Sequence, residues 1–197
     1  MTFKLGLTGS IGMGKSTTAK LLAEAGCEIW DADAAVHRLY STGGRAVAPM
    51  QAAFPQAVEN GQVSRERLKN IISADPTALK TIEAIVHPLL AQDRIDFVAN
   101  ATADILVFDV PLMFETGGDK RMDAVIVVSV PAETQRKRVM ERGTMTTEQF
   151  ETIRSKQMPD AEKRKRADYV LVTDTFEHAQ AQVKDILADI RGKMTHA

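Results

Sequence analysis

The sequence predicts an α/β chain in which five parallel strands form one open sheet with helices on both faces. Three observations predict it. Short apolar runs alternate with helix-forming segments along the 197 residues, the pattern of a parallel sheet wound by crossover helices. The first apolar run passes directly into a glycine-rich turn and then a helix. Asp31, Asp33 and Asp109 all fall at the carboxyl ends of predicted strands, where sheets of this kind bind ligands.

The composition sets the bounds. Hydrophobic residues make up 44% of the chain and the net charge is −1. That is enough apolar matter for one substantial core. It argues against global disorder and against a nucleic-acid footprint over the whole surface. The single cysteine, Cys27, excludes an intramolecular disulfide framework and a cysteine-rich metal site. It precedes a predicted strand and reads as a small buried residue rather than a nucleophile. No apolar run approaches the roughly 20 residues a membrane helix needs, and the first strand opens the chain with no leader pattern before it. A cytoplasmic protein without membrane or nucleic-acid partners is expected, monomeric or a small oligomer.

The elements follow in order. Phe3–Thr8 reads as a buried strand. Gly9-Ser10-Ile11-Gly12-Met13-Gly14-Lys15-Ser16 then fits G-x-x-x-x-G-K-[ST], the phosphate-binding loop. Its glycines let successive N–H groups turn inward toward a polyphosphate. Lys15 brings a compact positive charge to the β- and γ-phosphates, and Ser16 offers a hydroxyl to Mg²⁺. Residues 15–25 are helix-forming, so the helix dipole also faces the anion. The loop through Thr17 is therefore the candidate nucleotide site, with ATP and Mg²⁺ as the implied ligands.

A second strand at 28–30 ends at Asp31-Ala32-Asp33. Alternation on a strand puts both carboxylates on one side; a helix starting here makes them caps instead. Asp33 is the better candidate to take a proton from an acceptor hydroxyl beside a γ-phosphate. His37 follows one helical turn later, facing an acceptor or simply solvent. The section from about 45 to 102 reads as a helical insertion. Phe54-Pro55 and Glu59-Asn60-Gly61 mark turns, Ser64 starts a helix, and a longer helical pattern over 77–100 is interrupted at His87-Pro88, where proline must kink the helix or begin another.

Residues 105–110 form a continuous apolar strand ending near Asp109, which either holds Mg²⁺ through water or caps the strand end. Residues 124–130 form another buried strand, followed by a basic helix over 132–142, a helix over 146–156, a last strand at 169–173 and an amphipathic helix over 176–191. That closing helix places Phe176, Ala179, Val183, Ile186, Leu187 and Ile190 on one face. His178 and His196 read as peripheral. Between Arg136 and Arg166 there are ten basic residues against five acidic ones. Charge developing on a transferring phosphoryl group needs such donors, delivered by a mobile lid over about 142–166. Arg138 and Arg142 share a helical face and are the candidates, whereas Lys137, Lys163 and Lys165 read as a solvated face.

Together these residues resemble the dephospho-coenzyme A kinase family, over nearly the whole chain. TGSIGMGKST looks like its phosphate loop. Asp31-Ala32-Asp33 with His37 resembles its D-A-D-x-x-x-H segment, and Val86-His87-Pro88 its helical His-Pro signature. Asp109-Val110-Pro111-Leu112-Met113-Phe114-Glu115 looks like D-x-P-L-L-x-E, with Met113 in place of the commoner Leu. Gln135, Arg138 and Arg142 fit Q-x-x-R-x-x-x-R. Gln157-Met158-Pro159 and Ala167-Asp168-Tyr169-Val170 are similar to its closing segments. One departure stands after the last strand, near the expected adenine site, where Thr173-Asp174-Thr175 replaces a frequent Asn.

The resemblance implies a P-loop kinase fold as one domain over 1–197, and transfer of the ATP γ-phosphoryl to the ribose 3′-hydroxyl of dephospho-coenzyme A. It implies Asp33 as base, Lys15, Arg138 and Arg142 as charge stabilisers, and Ser16 with Asp109 toward Mg²⁺. Asp31, Asp33, His37, His87, Pro111 and Leu112 fall on the acceptor side. Rival readings are another small-molecule kinase, such as a nucleoside monophosphate kinase, or a nucleotide-dependent switch. No Asn is followed by Lys, so the guanine-reading N-K-x-D segment is absent. A nucleic-acid binder using the basic segment is the third.

Overall fold

A computed structural model describes residues 2–195; His196 lies outside them. In chain order the elements are β1 Phe3–Thr8, α1 Lys15–Glu24, β2 Glu28–Asp31, α2 Ala32–Tyr40, α3 Val47–Ala53, β3 Val58–Glu59 and β4 Gln62–Val63. Then come α4 Arg65–Ala74, α5 Ala78–Asn100, β5 Ile105–Asp109, β6 Ala124–Ser129, α6 Ala132–Glu141 and α7 Thr147–Ser155. The chain closes with α8 Asp160–Arg166, β7 Tyr169–Val172 and α9 Phe176–Thr195. Two compact units result, residues 30–101 forming one and the flanking segments the other.

The flanking unit is built on a five-stranded sheet of order β2-β5-β1-β6-β7. β1 runs parallel to β5 on one side and β6 on the other, and β6 runs parallel to β7. β1 is thus the point where the connections diverge, and a crevice opens beyond the carboxyl ends of the strands there. Successive strand side chains point to opposite faces. Leu5, Leu7, Ile126, Val128 and Leu171 pack with Leu21 and Leu22 of α1 and Val183, Leu187 and Ile190 of α9. Val125 and Val127 on the other face pack with Met113 and Phe114. Burial on both faces explains why β5 and β6 read as unbroken apolar runs. Phe176 departs from expectation: it is 52% exposed, while the later apolar positions of α9 are buried.

The other unit has its own core, in which Leu39, Met50, Leu68, Ile82 and Val86 are buried together. The Glu59-Asn60-Gly61 turn signal is the bend of an antiparallel hairpin, β3 with β4, with Asn60 at φ 51 and Gly61 at φ 73, as a two-residue Asn-Gly turn requires. The expected break at His87-Pro88 does not occur as a new helix: α5 is one 23-residue helix with Pro88 inside it. An interior proline costs about 3 kcal/mol. Ile82 and Val86 before it and Leu89 and Leu90 after it pack against the same core, so burial on both sides carries the helix through.

Candidate active site

β1 ends at Thr8, and the next six residues turn the chain back into α1. Two positions in that turn admit only glycine. Gly12 has φ 77 and Gly14 φ 95, and a Cβ would lie 2.5 Å from Val139 Cγ2 at Gly12 and 2.8 Å from Thr173 Oγ1 at Gly14. Gly14 is the N-cap of α1 and contributes no side-chain cap, so the first amides of the helix are left to an anion. Lys15 Nζ is ion-paired with Asp109 Oδ1, at the end of β5. Asp109 is 3% exposed. The structure therefore brings these two predicted residues together, with Asp109 a partner of the loop lysine.

The loop is braced from three other elements. Thr173, directly after β7, donates from Oγ1 to the Met13 carbonyl at 2.7 Å and accepts from Arg138 Nη1 at 3.0 Å. Arg138 Nη2 also donates to the Thr173 carbonyl at 2.5 Å. Gln135 of α6, buried, donates from Nε2 to the Ile11 carbonyl at 2.7 Å. Gln157, between α7 and α8, accepts from the Ile11 N–H at 3.2 Å.

Beside the loop lies a cleft of about 450 Å³ lined by Gly14, Thr17, Arg138, Arg142, Thr173 and Phe176, among others. Arg138 enters it already fixed by Thr173. Arg142, the C-cap of α6, enters it exposed. Ser16 and Thr17 are exposed in the first turn of α1.

The segment after β5 is tied down by a residue the sequence pattern misplaced. Lys163 was expected on a solvated face; it is fully buried. Its Nζ lies 3.0 Å from Glu115 Oε1 and 3.5 Å from the Pro111 carbonyl, which also accepts from Thr8 Oγ1 at 3.1 Å. The Met158 N–H donates to the same Glu115 oxygen at 2.8 Å. Burial pushes the Glu115 carboxyl up, but the Met158 N–H and the Lys163 ammonium outweigh it and hold the carboxyl below the usual glutamate range. Lys137 and Lys165 are exposed as expected. Leu112 is exposed at 41%.

In the other unit Asp31 caps α2, accepting from the Ala34 N–H at 2.9 Å. Asp33, in the first turn of α2, is exposed, as is His37. The Asp33 carbonyl accepts from Arg65 Nη2 at 3.4 Å. Asp93 of α5 binds Trp30 Nε1 at 2.8 Å and Arg38 Nη2 at 2.7 Å. His87 is exposed on α5 and shapes no break.

Sequence reasoning named Thr173 only in the departure near the expected adenine site and Lys163 only on a solvated face, missing the role of each, and placed Gln135 and Gln157 only by resemblance. For Thr173 the signal was present: it stands at the carboxyl end of the last strand, as Asp109 stands at the carboxyl end of β5.

The family described as Dephospho-CoA kinase matches residues 3–178. A dephospho-CoA kinase of Ruegeria pomeroyi is 66% identical over 197 residues, all of both chains. Among solved structures, a dephospho-CoA kinase from Campylobacter jejuni superposes with TM-score 0.72 at 22% identity, covering 98% of this chain and 100% of that one. A shikimate kinase from Acinetobacter baumannii superposes with TM-score 0.55 at 18% identity, over 98% and 95%. At such identities the two structures speak to the fold, which is that of the P-loop kinases. The match over most of the length and the close relative together mean that this chain belongs to the dephospho-CoA kinase family.

Proposed function

We propose that the chain phosphorylates the ribose 3′-hydroxyl of dephospho-CoA with ATP, giving CoA and ADP. The observation that carries the reading is the conjunction, on one loop, of the glycine cradle, the uncapped start of α1 and Lys15, with Arg138 and Arg142 lining the adjoining cleft. The amides of residues 9–17 bind the polyphosphate, and the ammonium of Lys15 lies against its outer phosphates. Asp33 accepts the proton of the 3′-hydroxyl as its oxygen bonds to the γ-phosphorus, and the bond to the ADP oxygen breaks. Lys15, Arg138 and Arg142 offset the charge that develops on the transferring group. Asp31, with its carboxylate used as a cap, orients the start of α2 and so Asp33.

Ser16 and Asp109 supply a hydroxyl and a carboxylate. These are hard oxygen donors of the kind Mg²⁺ takes when it also keeps phosphate oxygens and waters. They would hold the ion, whose chemistry is to neutralise phosphate charge. His37, His87, Pro111 and Leu112 belong to the acceptor side of the reading. The basic segment over 142–166 is the lid, and the chain works in the cytoplasm as a monomer.

The test is a coupled ADP-release assay offering dephospho-CoA, AMP and shikimate in turn. Turnover with dephospho-CoA alone is expected. Equal or greater turnover with AMP or shikimate would overturn the acceptor assignment, and slow hydrolysis with no phosphorylated acceptor would point to a switch.

A further inference from the structure

Both main-chain polar groups of one loop residue are held by carboxamides from different elements. Gln135 donates to the Ile11 carbonyl, and Gln157 accepts from the Ile11 N–H. The two grips differ in kind. Gln135 is buried on α6 and satisfies a carbonyl, which no phosphate can replace, because phosphate oxygens are acceptors too. Gln157 occupies an amide donor, the group that a phosphate seeks in such a loop.

The root that carries Gln157 is fixed. The next residue, Met158, donates its N–H to Glu115, and Glu115 pairs with the fully buried Lys163 of α8. The backbone at 157–158 is thereby anchored to the segment after β5. The carboxamide itself turns freely about its last torsion, which is broad and two-fold. Only its oxygen can accept from Ile11. Facing a phosphate, the same group must present its NH₂ instead.

We infer that Gln157 is a positioning residue through which the lid reads the terminal phosphate of the nucleotide. This rests on the reading that the loop holds a triphosphate. Gln157 holds the Ile11 N–H until a phosphate oxygen takes that donor. The carboxamide then turns and donates its own N–H to the same anion. Ile11 is the loop residue that Gln157 touches, and the inference assigns its N–H to the terminal phosphate, the group transferred. ADP leaves the Gln157–Ile11 bond in place, and ATP exchanges it for two bonds to phosphate.

The experiment is calorimetric titration of the full chain with ATP and with ADP, each with magnesium chloride, for the native protein, Gln157→Ala and Gln157→Glu. A hydrogen bond to a charged group is worth enough that Gln157→Ala is expected to weaken ATP about 10-fold and ADP less than about 2-fold. Gln157→Glu keeps the acceptor but repels phosphate, so its ATP loss is expected to be larger still, with ADP again little changed. Gln157→Asn, one methylene shorter with the same chemistry, is expected to lose ATP affinity partially and guards against a variant that fails to fold. Equal losses for both nucleotides, or no loss for either, would overturn the inference and leave Gln157 as a brace. Lys15→Ala run alongside separates the two levels: unchanged nucleotide binding there would sink the loop reading itself.

Discussion

The hydroxyl of Thr173 joins three groups that a phosphoryl-transfer site depends on: the Met13 carbonyl in the loop, the Arg138 guanidinium and, by its bulk, Gly14. Thr173→Val keeps the shape and removes both hydrogen bonds. A buried carbonyl without its donor costs about 1–3 kcal/mol, so chemical denaturation is expected to show a loss of that size, with turnover falling as Arg138 keeps only its bond to the Thr173 carbonyl. Unchanged stability would mean that Met13 finds another donor. Cys27 illustrates the opposite, a residue whose chemistry is silenced. Burial pushes its thiol up to about 11, against the nearby Arg191 and with Asp104. A neutral thiol is a poor nucleophile, so a disulfide reagent at pH 8 is expected to label the chain only after denaturant is added. Rapid labelling of the native protein would contradict the buried placement. Residues like Lys15, Asp109 and Cys27 were legible because motif or strand position fixes their surroundings. Lys163 was not. It stands in a run of four basic residues, and composition alone cannot tell the one that turns inward from its three neighbours.

At the scale of elements, α8 shows why. Asp160–Arg166 is a short charged helix with no apolar stripe to announce it; polar contacts hold it, the Ser129–Asp160 hydrogen bond and the Arg166–Asp119 pair together with the buried Lys163–Glu115 pair. Removing one partner of such a pair typically costs about 3–5 kcal/mol, and Lys163→Met is expected to destabilise the protein by an amount of that order in urea melts. The pair also gives stability a pH dependence. The Glu115 carboxyl is held below its ordinary range, so its contribution is complete above the unfolded pKa of about 4.3 and fades as pH falls through the lower folded value. The stability gap between the native protein and Glu115→Gln is therefore expected to stay constant from about pH 7 to pH 5 and to close below about pH 4. A gap that persists at the acid end would contradict the pairing. Helix α5 tells a complementary lesson. Its extent was readable from the apolar spacing. Its continuity through Pro88 was not, because that is decided by the shared core on either side.

Over the whole molecule, the five strands of the parallel sheet were the legible part, whereas the β3–β4 hairpin lay in a section that reads as helical. Doubly buried strands such as β5 and β6 leave unbroken apolar runs, and the carboxyl ends of the predicted strands pointed to Asp31, Asp33 and Asp109. The braces around the loop were less so, since Gln135, Gln157 and Thr173 come from three distant stretches that only the sheet order β1-β6-β7 gathers. The proposed reaction needs both the phosphate cradle and the Asp33 carboxylate. Asp33→Asn tests it most directly, by ATP titration and steady-state turnover with dephospho-CoA on the same preparation. ATP affinity is expected to match the native protein while kcat drops about 10²- to 10⁴-fold, the usual worth of a general base. A kcat within about threefold of native would show no transition-state role for that carboxylate and would contradict the mechanism.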